Sequence, residues 1–270
     1  MTASRLAKAI NRRSLGLLLG SPREFVDRAS DEVEILADRR RERPVYTTKD
    51  AHLAAKELSG RLGKHVGFRD TDPELAEAEI LERWREVTAA GPFPRFYSAG
   101  TQLPRFCFAV CRALRPTTVV ETGVAYGVTT AFILAALEMN GHGHLHSVDR
   151  PPWAPGAEAH VGAAIPERLR GRWTLHRGSS KRILPGLLRE LGAVDVFVRD
   201  SLYTYRTVMR ELRAVEPWLS PGAVVLADDL IASAGFRDWV HETGCPWWAA
   251  VPTLDPPRRT RFGVALSPVD

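Results

Sequence analysis

Val119-Val120-Glu121-Thr122-Gly123-Val124-Ala125-Tyr126-Gly127 is the stretch that decides the fold. A short apolar strand ends in an acid, and two glycines four residues apart follow. Glycine adopts backbone angles closed to other residues, so Gly123 and Gly127 permit a tight turn and a close approach to a ligand. The apolar run 128–139 then has the length of a helix. Strand, glycine bend and helix in succession predict the first half of a βαβ unit.

Working outward, the alternation continues. Strands are predicted at 117–121, 144–148, 173–176, 194–199 and 223–227, and helices between them at 128–139, 163–169, 181–191 and 203–218. A further helix at 236–242 precedes a final strand pair at 247–251 and 261–266, where an antiparallel closing strand is expected. Short apolar strands alternating with helices imply a mostly parallel sheet covered on both faces. Upstream, only helical signals are found. Leu6, Ile10, Leu15 and Leu18 share one helical face, and a second helix fits 22–40. Thr48 is placed to cap a third helix ending near Leu62. A fourth begins at Asp72-Pro73, an N-cap with proline at the first helical position, and ends near Ala89. A fifth, 101–114, feeds the first strand. The fold class is therefore α/β: a Rossmann-like doubly wound sheet, 97–270, with a helical N-terminal extension, 1–96.

Open sheets of this kind bind ligands beyond the carboxyl ends of their strands. Glu121 ends the first strand and Asp149 closes the second. A carboxylate there can accept two hydrogen bonds from the ribose hydroxyls of an adenosine; capping a turn before Pro151-Pro152 is the plainer role. The Gly-x-x-x-Gly spacing lacks the Gly-x-Gly-x-x-Gly of a dinucleotide cradle, and no Gly-Lys-Ser/Thr follows it, which argues against a nicotinamide enzyme and a P-loop.

Composition limits the alternatives. Hydrophobic residues make up 44% of the 270, enough for a substantial core, and the net charge is +5. The basic excess lies wholly before the glycine motif: up to Arg115 there are 21 Lys and Arg against 16 Asp and Glu, and beyond it 16 against 16. Its one tight run, Arg39-Arg40-Arg41-Glu42-Arg43, is broken by an acid and reads as the solvated end of a helix rather than a nucleic-acid surface. Cys107, Cys111 and Cys245 are too few and too scattered for a disulfide framework or zinc site. The apolar run 15–19 is too short for a signal peptide, and no stretch is long enough to span a bilayer. A cytoplasmic protein binding neither nucleic acid nor membrane is expected.

From about Tyr97 onward the chain resembles the class I S-adenosylmethionine-dependent methyltransferases, most closely the small-molecule O-methyltransferases of the catechol and macrocin type. The resemblance lies in the 119–127 motif, His146-Ser147-Val148-Asp149, Arg177-Gly178-Ser179-Ser180, Val194 to Asp200, and Leu219-Ser220-Pro221-Gly222 through Asp228-Asp229. It implies that Glu121, Gly123, Tyr126, Gly127, Asp149, Arg150, Ser179 and Asp200 line a cofactor pocket for S-adenosyl-L-methionine. It also implies a divalent cation such as Mg²⁺ held by Asp200, Asp228 and Asp229, a ligand set suited to a hard ion that would activate the acceptor hydroxyl. Asp200, Tyr203 and Asp229 are then the candidates for the reacting end. Tyr126 reads equally well as core, and Trp153 as a loop closure. One departure stands out. Relatives usually carry His or Lys where this chain has Tyr203, in Asp200-Ser201-Leu202-Tyr203-Thr204-Tyr205. Histidine is a competent base near neutrality; a phenol near pKa 10 is not unless a cation activates it. Tyr203 therefore serves as an activated phenolate or an orienting group, or another group takes the proton, or the chain is a catalytically silent S-adenosylmethionine-binding partner subunit. The acceptor is expected to be a small molecule. A homodimer is the default assembly, with the N-terminal helices as candidates for an acceptor-site lid or the dimer contact.

Overall fold

Seven strands form one sheet in the order β3-β2-β1-β4-β5-β7-β6. They are β1 (Thr118–Thr122), β2 (His144–Asp149), β3 (Trp173–Arg177), β4 (Val194–Arg199), β5 (Leu219–Ala227), β6 (Trp247–Pro252) and β7 (Arg261–Leu266). In this computed structural model the described residues are 21–67, 74–91, 93, 100–151, 156–253 and 260–267. The first five strands are parallel; β7 runs antiparallel to both β5 and β6. Strand order reverses between β1 and β4, so their carboxyl ends flank the crevice where such sheets bind ligands. The antiparallel closing strand expected from the sequence is β7, inserted between β5 and β6 rather than at the edge.

The helices are α1 (Pro22–Asp38), α2 (Ala51–Leu62), α3 (Glu74–Ala90), α4 (Gln102–Leu114), α5 (Val128–Asn140), α6 (Ala157–His160), α7 (Ser180–Leu191), α8 (Tyr205–Val215) and α9 (Gly235–Glu242). Side chains alternate across the sheet, and both faces are dry. Val119, Val196, Val198, Val224 and Leu226 meet α4 and α5 on one face. Val120, Phe197, Val225 and Ala227 meet α7, α8 and α9 on the other. Period-2 burial on both faces is what a parallel sheet covered by helices requires. α5 is apolar nearly all round, and its residues Val128 to Leu137 are buried, as expected of a helix enclosed by neighbours.

Two expectations are corrected. The helix at 163–169 is replaced by α6, a turn, and a 3-10 segment, Glu167–Arg172. The Gly162 amide donates to the Ala125 carbonyl at 2.9 Å and the Ala164 amide to that of Tyr126 at 2.9 Å. This turn thus satisfies the glycine motif's backbone, which a continuous helix would not do. Thr48 does not cap α2: it pairs with Ala250 as an isolated parallel bridge, and Asp50 caps instead, accepting from the His52 amide at 2.8 Å. One compact unit ends at Glu42 and the other runs from Arg43 to the C-terminus, because α2 packs on β6. Within the first unit, α1 carries an Arg28–Glu24 pair at 2.6 Å and ends before the arginine run. The helix expected before residue 20, the Asp72-Pro73 cap and Trp153 lie outside the described residues.

Candidate active site

At the end of β1, Glu121 is wholly buried. Its Oε2 accepts from Thr130 at 2.8 Å and from Ser147 at 2.7 Å, while Oε1 is buried without a hydrogen-bond partner. Burial pushes its pKa up to about 7, against the downward pull of the two hydroxyls. The bend follows. Gly123, Ala125 and Gly127 all take positive φ, at 88°, 48° and 85°. A Cβ on Gly123 would stand 2.0 Å from the Asp200 carbonyl oxygen, and one on Gly127 would stand 2.8 Å from the Gly162 Cα. Both glycines are therefore required by close approach of the protein's own backbone as well as by the turn.

Asp149 closes β2 and faces this bend. Its Oδ1 accepts from the Val124 amide at 3.1 Å, and its Oδ2 is buried with no hydrogen-bond partner. Burial raises its pKa to about 6, opposed by the Val124 amide and by the charges of Arg177 and Arg150. Ser179 is buried and precedes α7 as its N-cap residue. Tyr126 is buried away from solvent; its hydroxyl accepts from the Phe93 amide at 3.1 Å and donates to the Phe93 carbonyl at 3.2 Å, with the rings edge-on at 4.8 Å. It pins the segment before α4 to the motif.

Asp200 leaves β4 beside Gly123, its amide donating to the Thr122 carbonyl at 2.7 Å; Asp228 leaves β5 with its amide on the Arg199 carbonyl at 2.9 Å. The Tyr203 hydroxyl lies between them, donating to Asp200 Oδ1 and standing 3.3 Å from Asp228 Oδ2. Burial and mutual repulsion hold the Asp200 carboxyl well above its usual range. Burial likewise brings Asp228 to about 6, and raises the Tyr203 phenol further above its ordinary value.

Beneath this triad sits a pair the sequence reading missed. Arg199 and Glu211 are each 1% exposed and 3.2 Å apart. The guanidinium lies 5.0 Å from the Tyr203 ring centroid and also donates to the Leu202 carbonyl. Glu211 accepts from Ser201 at 2.7 Å and from Thr122 at 3.2 Å. The signal was present: Glu211 falls on the stripe Val208, Leu212, Val215 that α8 buries, and an acid on a buried stripe needs a partner.

The three carboxylates expected around Mg²⁺ do not converge. Asp229 has a left-handed backbone, φ 47°, and its Oδ1 accepts from Thr260 at 2.7 Å. With the phenol between the other two, no group of three metal-ligating side chains is found among the described residues. The arrangement does not fit a cation held by Asp200, Asp228 and Asp229. His144, His146 and His176 cluster on the outer strands, with His146 Nδ1 and His176 Nε2 at 3.2 Å. His241 is exposed.

An adenosyl amino acid fits the other half. Oε1 of Glu121 and Oδ2 of Asp149 are buried acceptors lacking partners at the ends of adjacent strands, and buried acceptors ordinarily find donors. The fold that carries these two acceptors is Rossmann-like. Residues 120–230 match the family model of a methyltransferase domain. Solved structures share the fold. The O-methyltransferase TomG from Streptomyces achromogenes, in complex with S-adenosylmethionine, matches at 15% identity and a TM-score of 0.56 over 82% of this chain and 99% of its own. A putative O-methyltransferase from Klebsiella pneumoniae matches at 18% and 0.54, over 80% and 97%. An O-methyltransferase from Bacillus cereus, bound to S-adenosylhomocysteine, matches at 15% and 0.54, again over 80% and 97%. A search of curated protein sequences finds no match. Residues 120–230 are thus similar to a methyltransferase domain, and the fold is one shared with solved O-methyltransferases. Among the described residues, no helix is long and apolar enough to cross a membrane.

Proposed function

We propose that the protein methylates an oxygen of a small-molecule acceptor. The observation that carries this reading is the pair of carboxylates, half-buried Asp200 and buried Asp228, at the β4 and β5 ends beside the glycine bend. Bound S-adenosylmethionine supplies a sulfonium methyl whose C–S electron pair returns to sulfur as the acceptor oxygen bonds to carbon. Glu121 Oε1 would receive the donor's ammonium group and Asp149 Oδ2 its ribose hydroxyls. A hydroxyl acceptor must shed a proton, and a carboxylate titrating near neutrality receives one readily. Asp228, with a pKa of about 6, serves as that acceptor. The structural neighbours, themselves O-methyltransferases, agree with the reading.

The test has two parts. Calorimetry with S-adenosylhomocysteine should show binding that Asp149→Ala removes. Incubation with methyl-labelled S-adenosylmethionine and a panel of hydroxylated, carboxylated and amine acceptors should then give an O-methyl product, with a rate that rises as pH passes about 6 because the base must be ionised. Labelling confined to nitrogen would overturn the oxygen assignment. Binding without turnover on any acceptor would instead indicate the silent partner subunit.

A further inference from the structure

Two features of the reacting end demand a common explanation. The chain carries a tyrosine where the resembling enzymes carry a histidine or lysine, and the hydroxyl of that tyrosine lies between the carboxylates of Asp200 and Asp228. Two carboxylates side by side, one buried and one half-buried, repel one another unless something positive or proton-bearing separates them. In a metal enzyme the ion does this. Here we propose that the Tyr203 hydroxyl takes the ion's place, clamping Asp200 and Asp228 so that the site is assembled and works without a divalent cation.

The surroundings support the substitution from three sides. The third carboxylate, Asp229, has one oxygen engaged by Thr260, and no group of three metal-ligating side chains is found among the described residues. The phenol is held from beneath by the Arg199 guanidinium, 5.0 Å from its ring centroid. A cation against an aromatic face is an attractive contact that fixes the ring. Arg199 is fixed in turn by Glu211, and Glu211 by Ser201 and Thr122. The clamp thus stands on a chain of buried hydrogen bonds reaching back to β1. The nearby positive charge of Arg199 also supplies some of the charge balance an ion would bring. Tyr203 is therefore a positioning residue: it acts on the acceptor through the two carboxylates it holds.

The proposal rests on the methyl-transfer reading for what the clamp is for, but not for whether the clamp excludes a metal. The decisive measurement uses Mn²⁺ alone, titrated into the full chain and followed by electron paramagnetic resonance of the free ion. The wild type is expected to show no Mn²⁺ site that Asp200→Asn or Asp228→Asn abolishes. Tyr203→Ala and Tyr203→His, each verified as folded by circular dichroism, should expose the pair and bind Mn²⁺ about tenfold or more tighter, as added carboxylate ligands do for hard ions. Asp200→Asn in the same background should erase the gain. Surface histidines are unaffected by that substitution, so the difference belongs to the pair. In turnover assays the wild-type rate should be unchanged by a chelator, and the rate of Tyr203→Ala should become dependent on added Mg²⁺.

A wild-type Mn²⁺ site lost in Asp200→Asn, chelator-sensitive wild-type turnover, or a folded Tyr203 variant that gains no ion would each overturn the proposal. The wild-type titration decides even if the variants fail to fold. Failure of the wild type to bind S-adenosylhomocysteine would instead sink the methyl-transfer reading, leaving the titration to judge the clamp by itself.

Discussion

The ends of β1 and β2 and the ends of β4 and β5 lie side by side at one rim of the sheet, yet they are finished differently. Glu121 and Asp149 each spend one carboxylate oxygen on the protein and leave the other buried without a hydrogen-bond partner. Asp200 and Asp228 instead share the Tyr203 hydroxyl, over the Arg199–Glu211 pair. An unsatisfied buried polar group costs roughly 1–3 kcal/mol, so the first rim is stabilised when donors arrive. The second rim needs none to hold its shape. One half of the site is built around a missing ligand and the other around the protein's own side chains.

That contrast can be broken most severely from the second half. Replacing Glu211 with alanine strands the Arg199 guanidinium in the interior, and urea unfolding should show a loss of about 3–5 kcal/mol; a loss under about 1 kcal/mol would mean that Arg199 finds another partner. In the first half, Asp149→Ala should leave stability little changed but weaken S-adenosylhomocysteine binding about 100-fold by calorimetry, the worth of a charged bidentate contact. Glu121 gives a pH signature. Its folded pKa of about 7 lies above the ordinary 4.5, so the folded chain holds the proton more tightly than the unfolded one. The resulting stability is present below about pH 4.5 and lost as pH rises through 7. Between about pH 5 and about pH 8, the ligand-free wild type should lose on the order of 2 kcal/mol relative to Glu121→Gln. Equal pH slopes for the two proteins would refute it. The smallest effect belongs to Tyr126→Phe, which removes the two contacts to the Phe93 backbone: about 1–2 kcal/mol of stability, with cofactor affinity unchanged.

How much of this was legible in the sequence follows from the reach of each interaction. β1, the glycine bend and α5 could be read because strand, turn and helix signals there are local and agree. The β4 span, 194–199, coincided with its expected bounds for the same reason. The misread segment, 163–169, opens with two alanines that favour a helix but carries Pro166 at its centre, a local signal against one. It is bent instead by tertiary bonds from Gly162 and Ala164 to the Ala125 and Tyr126 carbonyls, which no local window contains. The identities of Asp149, Asp200 and Tyr203 at strand ends were visible, because parallel strands deliver their last residues to one rim. Whether Asp229 joined Asp200 and Asp228 was not, since a single positive φ and a hydroxyl from residue 260 decide it. Tyr203 was visible as a departure, but the position of its hydroxyl depends on Arg199 beneath the ring.

The pairing of Thr48 with Ala250 carries a practical consequence for anyone trimming this protein. β6 lies at the margin of the sheet, and the stretch from Thr48 to Leu62 lies over it, with the Lys49 amide on the Ala250 carbonyl at 2.8 Å and the Trp247 indole on Glu57 at 2.8 Å. Starting a shortened version at residue 97 would strip that cover and bare a ribbon of unpaired amides and carbonyls, a template for sticking to other chains. A fragment begun at Arg43 keeps its hem sewn.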